Sequence, residues 1–403
     1  MKKISFTALT CLLLLLTACR KDVEEMIYNE NYTTYEQQFK SIWSGVNSVY
    51  VHWSADTVDW DARYRRLLPQ FQSLDKIVND TSLPDSLRSI PYETFAALYT
   101  ELFQGMIDHH MEIEIKNLKP APGDSTTKFS YFPGLIEVIN RDYLHGLSEM
   151  LVYNLTMYLL ELEGHVTELE YKKGRDTEVI VGLIDGKYAY MKLSDYNLST
   201  SPNDDAARTA YEHWLEMCFR PTTQGIILDN RGNLGGNSKD MELVISPFLD
   251  QDMVLGYSRT KNGPGRYDYT PWATHSILKA QQTRPDIPYV VLADIWSGSM
   301  GELTTAAVKA LPQGYFIGER TYGAFGAALT IYNTNTYESL TVGELGGTGK
   351  NHHINTTTYQ YKFADEGILE GIGITPDQEV LYTDYRNQLD AAINYLNSVS
   401  KEH

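Results

Sequence analysis

The sequence predicts an α/β core preceded by an N-terminal helical domain, and three observations predict it. From Thr34 to Lys116 apolar residues recur at spacings of three and four, the period of an amphipathic helix. From Gln224 onward, short β-branched runs alternate with helical patterns, as in α/β folds. After Gly323 the chain turns β-rich, with Ala328 to Asn333, Ser339 to Val342 and Thr356 to Phe363 reading as strands before a closing amphipathic helix at Tyr385 to Val399.

The chain begins with Met1-Lys2-Lys3, an apolar run through Leu16 and then Leu16-Thr17-Ala18-Cys19. That run is too short to span a bilayer and reads as a leader, residues 1–18, ending before a cysteine. Residues 19–33 form a polar tether, 34–118 the helical domain and 119–403 the core. Cys11 leaves with the leader and Cys19 sits at its end, so Cys218 remains without an intrachain partner, on an apolar helical stretch that suits a core residue. The net charge of −18 argues against nucleic acid and against electrostatic attachment to anionic lipid. A hydrophobic content of 42% supports a large packed core.

In the helical domain, Phe39, Ile42, Trp43, Val46 and Val49 make one apolar face. Tyr64, Leu67 and Leu68 open a second helix that Pro69 is expected to close, and Tyr92 to Ile107 is a third. Between the first two, Tyr50-Val51-His52-Trp53 and Val58-Asp59-Trp60-Asp61 read as aromatic core residues. Asp108-His109-His110 then ends a helix and leads into an alternating strand, Met111 to Ile115. A His–His pair alone is a structural or surface feature and lacks the further ligands of a zinc site. Leu118 to Lys128 is a loop, Met150 to Leu162 a short apolar helix, and Glu178–Ile184 with Tyr188–Leu193 a β-hairpin about Asp185-Gly186. Ala206 to Phe219 and Ser238 to Phe248 are helices.

Chemistry concentrates at two turns. The buried strand Ile287 to Leu292 runs into Ala293-Asp294-Ile295-Trp296-Ser297-Gly298-Ser299-Met300-Gly301-Glu302, after which Glu302 to Leu311 is helical. A serine at such a turn faces the free N–H groups and positive end of a helix, which can hold an oxyanion. Ser299 is therefore a nucleophile, or else Ser297 or Ser299 caps the helix with Glu302 as the capping-box partner. The second turn, Asp229-Asn230-Arg231-Gly232-Asn233-Leu234-Gly235-Gly236, follows another strand, and its glycines allow close backbone approach to a ligand atom or simply make a turn.

Together the two turns resemble the C-terminal-processing (tail-specific) serine peptidase family. Its motifs stand here in order as Asp229 to Gly236, Ser297 to Glu302 and Gly318-Glu319-Arg320-Thr321-Tyr322-Gly323; Glu370 to Asp377 resembles the family's ending. The resemblance implies a crotonase/ClpP-like core and a serine peptidase acting on polypeptide, without cofactor or metal. In the family's Ser–Lys branch a lysine follows the Gly-Glu-Arg-Thr-aromatic-Gly run; Ala324 stands there and cannot take a proton. The tricorn-core branch, which lacks a PDZ domain, implies instead Ser299 as nucleophile, His110 rather than His109 as general base, Glu370 as the orienting acid and Ser297 as possible support. Met300 with Gly235 or Gly236 would supply oxyanion donors. The leader resembles a bacterial lipoprotein signal, implying lipid on Cys19 and a place in the cell envelope, periplasm-facing or surface-exposed. A rival reading, prompted by Ala324, is a catalytically inactive protein that binds peptides or envelope components on the same fold. No Gly-x-Ser-x-Gly elbow surrounds Ser299, which disfavours an esterase.

Overall fold

A computed structural model describes residues 28–141, 162, 164–199, 205–326, 329–333, 338–347, 350–382 and 386–400. Cys19, the leader and most of the expected Met150 to Leu162 helix lie outside these residues.

Three helices open the described chain: α1 (Tyr35–Val49), α2 (Trp60–Asn79) and α3 (Tyr92–Phe103). Phe39, Ile42, Trp43 and Val46 are buried on α1 as their spacing dictates. Pro69 does not close the second helix, which continues ten residues to Asn79. The proline sits on the exposed side of the helix, where a carbonyl left without its partner faces solvent rather than the core. The third helix stops at Phe103 rather than Ile107, because Gly105 turns the chain at φ 76°. These helices cover a four-stranded sheet in the order β13-β14-β1-β2, from β1 (Glu112–Lys116), β2 (Lys128–Tyr131), β13 (Glu344–Gly346) and β14 (His352–Asn355). Leu345 and Ile354 thus share a core with Phe39 and Phe95. The expected boundary at 118/119 falls between two paired strands of this sheet. A helix, α4 (Pro133–Asn140), follows β2.

The main sheet has seven strands in the order β16-β10-β9-β6-β5-β4-β3. They are β3 (Val166–Lys173), β4 (Glu178–Ile184), β5 (Tyr188–Leu193), β6 (Gly225–Asp229), β9 (Tyr289–Ala293), β10 (Gly314–Gly318) and β16 (Gln378–Glu379). From β5 to β16 every pairing is parallel, and β3-β4-β5 is an antiparallel meander. Side chains alternate between the two faces: Tyr289, Val291 and Ala293 of β9 join one core, Val290 and Leu292 the other. The first core is covered by α5 (Ala206–Phe219), α6 (Ser238–Ile245) and α7 (Met300–Lys309), the second by α8 (Asn387–Val399). The helix expected to reach Phe248 ends at Ile245 and tightens into a 3₁₀ turn at Pro247. A third sheet joins β7 (Met253–Thr260), β8 (Ala273–Ile277) and β15 (Tyr359–Phe363), and β11 (Leu329–Asn333) pairs with β12 (Glu338–Val342). Thr356 to Thr358, expected as part of β15, instead links β14 to β15.

Candidate active site

Strands β6 and β9 are parallel neighbours, so the loops at their carboxyl ends meet. That is where ligands bind in open α/β sheets. The glycine turn follows β6 and Ser299 follows β9.

The β6 turn is built on a buried ion network. Arg231, 2% exposed, donates from Nε to Asp229 Oδ1 at 3.0 Å and from Nη2 to Oδ2 at 2.6 Å, while Tyr190 OH donates to Oδ2 at 2.8 Å. Burial alone would raise the Asp229 pKa, yet Arg231 and Lys192 beside it hold it below the usual carboxylate range. The two asparagines of the motif stitch this turn to its surroundings. Asn230 Nδ2 donates to Gly301 O at 3.2 Å, and Asn233 donates to Leu193 O at 3.1 Å while its Oδ1 accepts the Gly235 N–H at 2.9 Å.

Ser299 occupies the N-cap position of α7 but does not cap it: its side chain makes no cap hydrogen bond, and its backbone is at φ 52°, ψ −119°. Only two other described non-glycine residues take a positive φ. Its N–H donates to Ala324 O at 3.1 Å. The Glu302 carboxylate turns away from the cap. It accepts Gly323 N–H at 2.6 Å, Ala324 N–H at 2.7 Å and the Thr321 hydroxyl, and burial pushes its pKa up to about 7. The capping-box reading thus gives way to a strut between the helix and the third motif. Ser297 is fully buried; its hydroxyl donates to Asn230 O at 2.8 Å and accepts Asp294 N–H at 2.9 Å, which joins the two turns.

Gly235 and Ser299 are pressed together. A Cβ on Gly235, at φ 117°, would lie 2.6 Å from Ser299 Cβ and 2.8 Å from Met300 N. Of the expected oxyanion donors, Gly235 is corrected: its N–H is already engaged by Asn233. The N–H groups of Met300 and Gly236 make no such bond among the described residues.

Ser299, His109 and His110 line one cavity of about 320 Å³, together with Phe132, Leu135 and Trp296. Leu234, 57% exposed, and Phe132, 38% exposed, give its mouth an apolar rim. The fold thus brings residues 110 and 299 to one cavity despite their separation in sequence, with Ala324 also in its wall. No hydrogen bond joins Ser299 Oγ to either imidazole. His109 Nδ1 donates to Tyr322 O at 2.8 Å, which leaves Nε2 as the acceptor; His110 Nδ1 is sealed from solvent without a partner. Burial lowers the pKa of both rings to about 4. Glu370, 2% exposed, meets the histidine loop through the backbone. Its carboxylate accepts His109 N–H at 3.3 Å, and Phe325 and Gly326 N–H at 2.9 Å each, and makes no hydrogen bond to either ring. Burial, then the nearby Asp108 charge, raises its pKa well above normal.

Among the described residues, His52, Asp108 and Glu370 are the grouping whose polar atoms lie close enough, within 4.8 Å, to hold a metal. Most of their atoms are engaged: Asp108 Oδ2 and Glu370 Oε2 each accept two hydrogen bonds, and His52 Nε2 contacts Thr357 Oγ1 at 2.7 Å, while His52 Nδ1 is buried without a partner. The motif spacings pointed to Ser299 and His110; they carried no sign of the roles of His52, Thr357 or Glu302, which depend on contacts across more than one element.

Residues 187–380 match the family model of peptidase family S41. The chain carries a peptidase family S41 domain. The nisin-resistance protein of Lactococcus lactis subsp. lactis is 28% identical over 139 residues, 32% of this chain and 42% of that protein. The tricorn protease of Thermoplasma acidophilum is 28% identical over 180 residues, 43% of this chain and 14% of that protein. The chain spans less than half the length of these curated relatives. Its fold is shared with a crystal structure of a candidate peptidase from Parabacteroides merdae, at TM-score 0.62 and 18% identity, covering 91% of this chain and 97% of that one. Mature CPAF complexed with lactacystin matches at TM-score 0.53 and 9% identity, with the same coverage.

Proposed function

We propose that this S41 protein is a serine peptidase acting on polypeptide, with Ser299 as nucleophile and His110 as general base. The observation that carries the proposal is Ser299 itself. It is an uncapped serine at positive φ on a helix N-terminus, opening on a cavity shared with the Asp-x-His loop. Held strain of this kind clusters at functional sites.

In this reading Ser299 Oγ attacks the scissile carbonyl carbon and gives its proton to the imidazole. Met300 and Gly236 N–H hold the resulting oxyanion. Collapse of the tetrahedral intermediate passes that proton to the leaving amine, and water then cleaves the acyl-serine ester by the same steps. The side chain beside the scissile carbonyl enters the cavity against Leu135 and Trp296, which favours an apolar residue there. The motif position favours His110 as base. One observation favours His109: its Nδ1–H is fixed on the Tyr322 carbonyl, as a base with an oriented tautomer requires. Lipid on Cys19 would hold the enzyme at the cell envelope; no helix among the described residues is long and apolar enough to cross a membrane.

Labelling by a fluorophosphonate tests this. Native protein is expected to label, with Ser299→Ala and His110→Ala silent and His109→Ala retaining most of the rate. Loss in His109→Ala with retention in His110→Ala moves the base by one residue. A folded native protein that never labels supports the inactive binding protein instead.

A further inference from the structure

Behind the histidine loop runs a chain of hydrogen bonds from the N-terminal helical part. His52 follows α1, Thr357 lies between β14 and β15, and Asp108 precedes β1; all three are fully buried. His52 Nε2 lies 2.7 Å from Thr357 Oγ1. The same Thr357 hydroxyl donates to Asp108 Oδ2 at 3.2 Å, and Thr357 N–H donates to that oxygen at 2.9 Å. Asp108 Oδ1 accepts the backbone N–H of His110 at 3.0 Å.

The direction of this chain follows from counting protons. A hydroxyl has one proton, and here it goes to a carboxylate oxygen, so His52 must donate from Nε2. That leaves Nδ1 as a bare lone pair, in keeping with its burial without a partner. A buried lone pair is the less costly orphan, since an unpaired N–H donor would forfeit a stronger bond to water. Burial, with His110 and His109 nearby, keeps the ring neutral, its pKa lowered to about 3. In this arrangement each link has its proton, and the last link is the peptide group that carries the imidazole of His110.

We infer that His52 and Thr357 are positioning residues: through Asp108 they fix the backbone of His110 and so the aim of its ring at Ser299. The inference rests on the Ser299–His110 reading. It makes the helical N-terminal part a component of the catalytic apparatus, since removing His52 unseats an aspartate that belongs to the site loop. A displacement of the base by a fraction of an ångström to 1 Å costs on the order of 10- to 100-fold in rate.

The test uses the whole chain and a fluorophosphonate, separating the maximal labelling rate from the half-saturating probe concentration. Thr357→Val keeps the shape and removes the hydroxyl, and Thr357→Ser restores it. His52→Leu removes the donor, while the amide nitrogen of His52→Gln reaches the position of Nε2. Expected are a 10- to 100-fold fall in the maximal rate for the Val and Leu variants at unchanged half-saturation, and near-native rates for the Ser and Gln variants. The Val/Leu double variant should be no slower than either single one, as for two links of one chain. Circular dichroism establishes that each variant is folded. A silent His110→Ala with Val and Leu variants at native rates overturns this inference alone. Ser and Val variants that are equally slow overturn it too, since the hydroxyl is then irrelevant. A native protein that fails to label, or a His110→Ala variant that labels normally, overturns the catalytic reading and this inference with it.

Discussion

At Ser299 the backbone takes a conformation that costs a non-glycine residue on the order of 1–3 kcal/mol and must be held by its surroundings. Gly235 is part of that hold, packed where any side chain would strike Ser299 Cβ and Met300 N. Gly235→Ala is accordingly expected to lower the fluorophosphonate labelling rate by about 10²-fold or more, the scale of losing one oxyanion donor. The fold should survive with a lower melting temperature, which circular dichroism reads. An alanine variant labelling at the native rate would show that the close approach has no bearing on the nucleophile. The same residues show where sequence reasoning stops. Ser-x-x-Glu at Ser299 and Glu302 has capping-box spacing, and spacing alone cannot tell a cap from a nucleophile. The difference is where Glu302 finds its partners, and Thr321, Gly323 and Ala324 lie about twenty residues downstream.

At the scale of elements, the strand-to-turn joints were legible because their apolar runs and glycines are local. Strands β4, β5, β6 and β9 and helices α5 and α7 stand within a few residues of their expected places. What escaped was long-range pairing. Strand β14, with two histidines, is not among the expected strands, and its Ile354 packs in the core under the N-terminal helices. The meaning of Asp229-x-Arg231 was equally hidden, since a sequence does not say that an arginine is 2% exposed. Removing one partner of such a pair leaves a buried charge, at a cost of roughly 3–5 kcal/mol. Arg231→Met should therefore destabilise the protein on that scale, with Lys192 at 3.9 Å giving Asp229 partial relief. Adding Asp229→Asn should recover part of the loss. Urea unfolding measures both, and a single variant as stable as native would show that the pair contributes nothing net.

Across the whole molecule, buried titratable groups gather around the site, and their shifts work against one another. Burial lowers His52 to about 3 and His109 and His110 to about 4; His352, away from the site against Tyr28 and Tyr32, is lowered to about 4 as well. For activity, a base at about 4 puts the acid limb of the pH–rate profile far below the ordinary histidine range. Fluorophosphonate labelling should persist down to about pH 5, and a limb centred near 6.5 would contradict His110 as it sits here. For stability, the folded histidines bind fewer protons than the unfolded ones between about pH 4 and 6.5, so across that window they add stability as pH rises. Burial has raised Asp108 to about 6 and Glu302 to about 7, and holds Glu370 well above the usual carboxylate range. These carboxyls hold protons that the unfolded chain has released, so stability falls as pH climbs from about 4 through each raised value. The two sets oppose each other below 6.5. Above it the histidine contribution is complete, while Glu302, raised to about 7, still has its proton to lose in a chain of net charge −18. The melting temperature should then change little between pH 5 and 6 and decline from pH 7 toward 9. A melting temperature that climbs across that alkaline range would mean the site carboxyls are ionised in the folded protein, and that the strut at Glu302 stands as a charge.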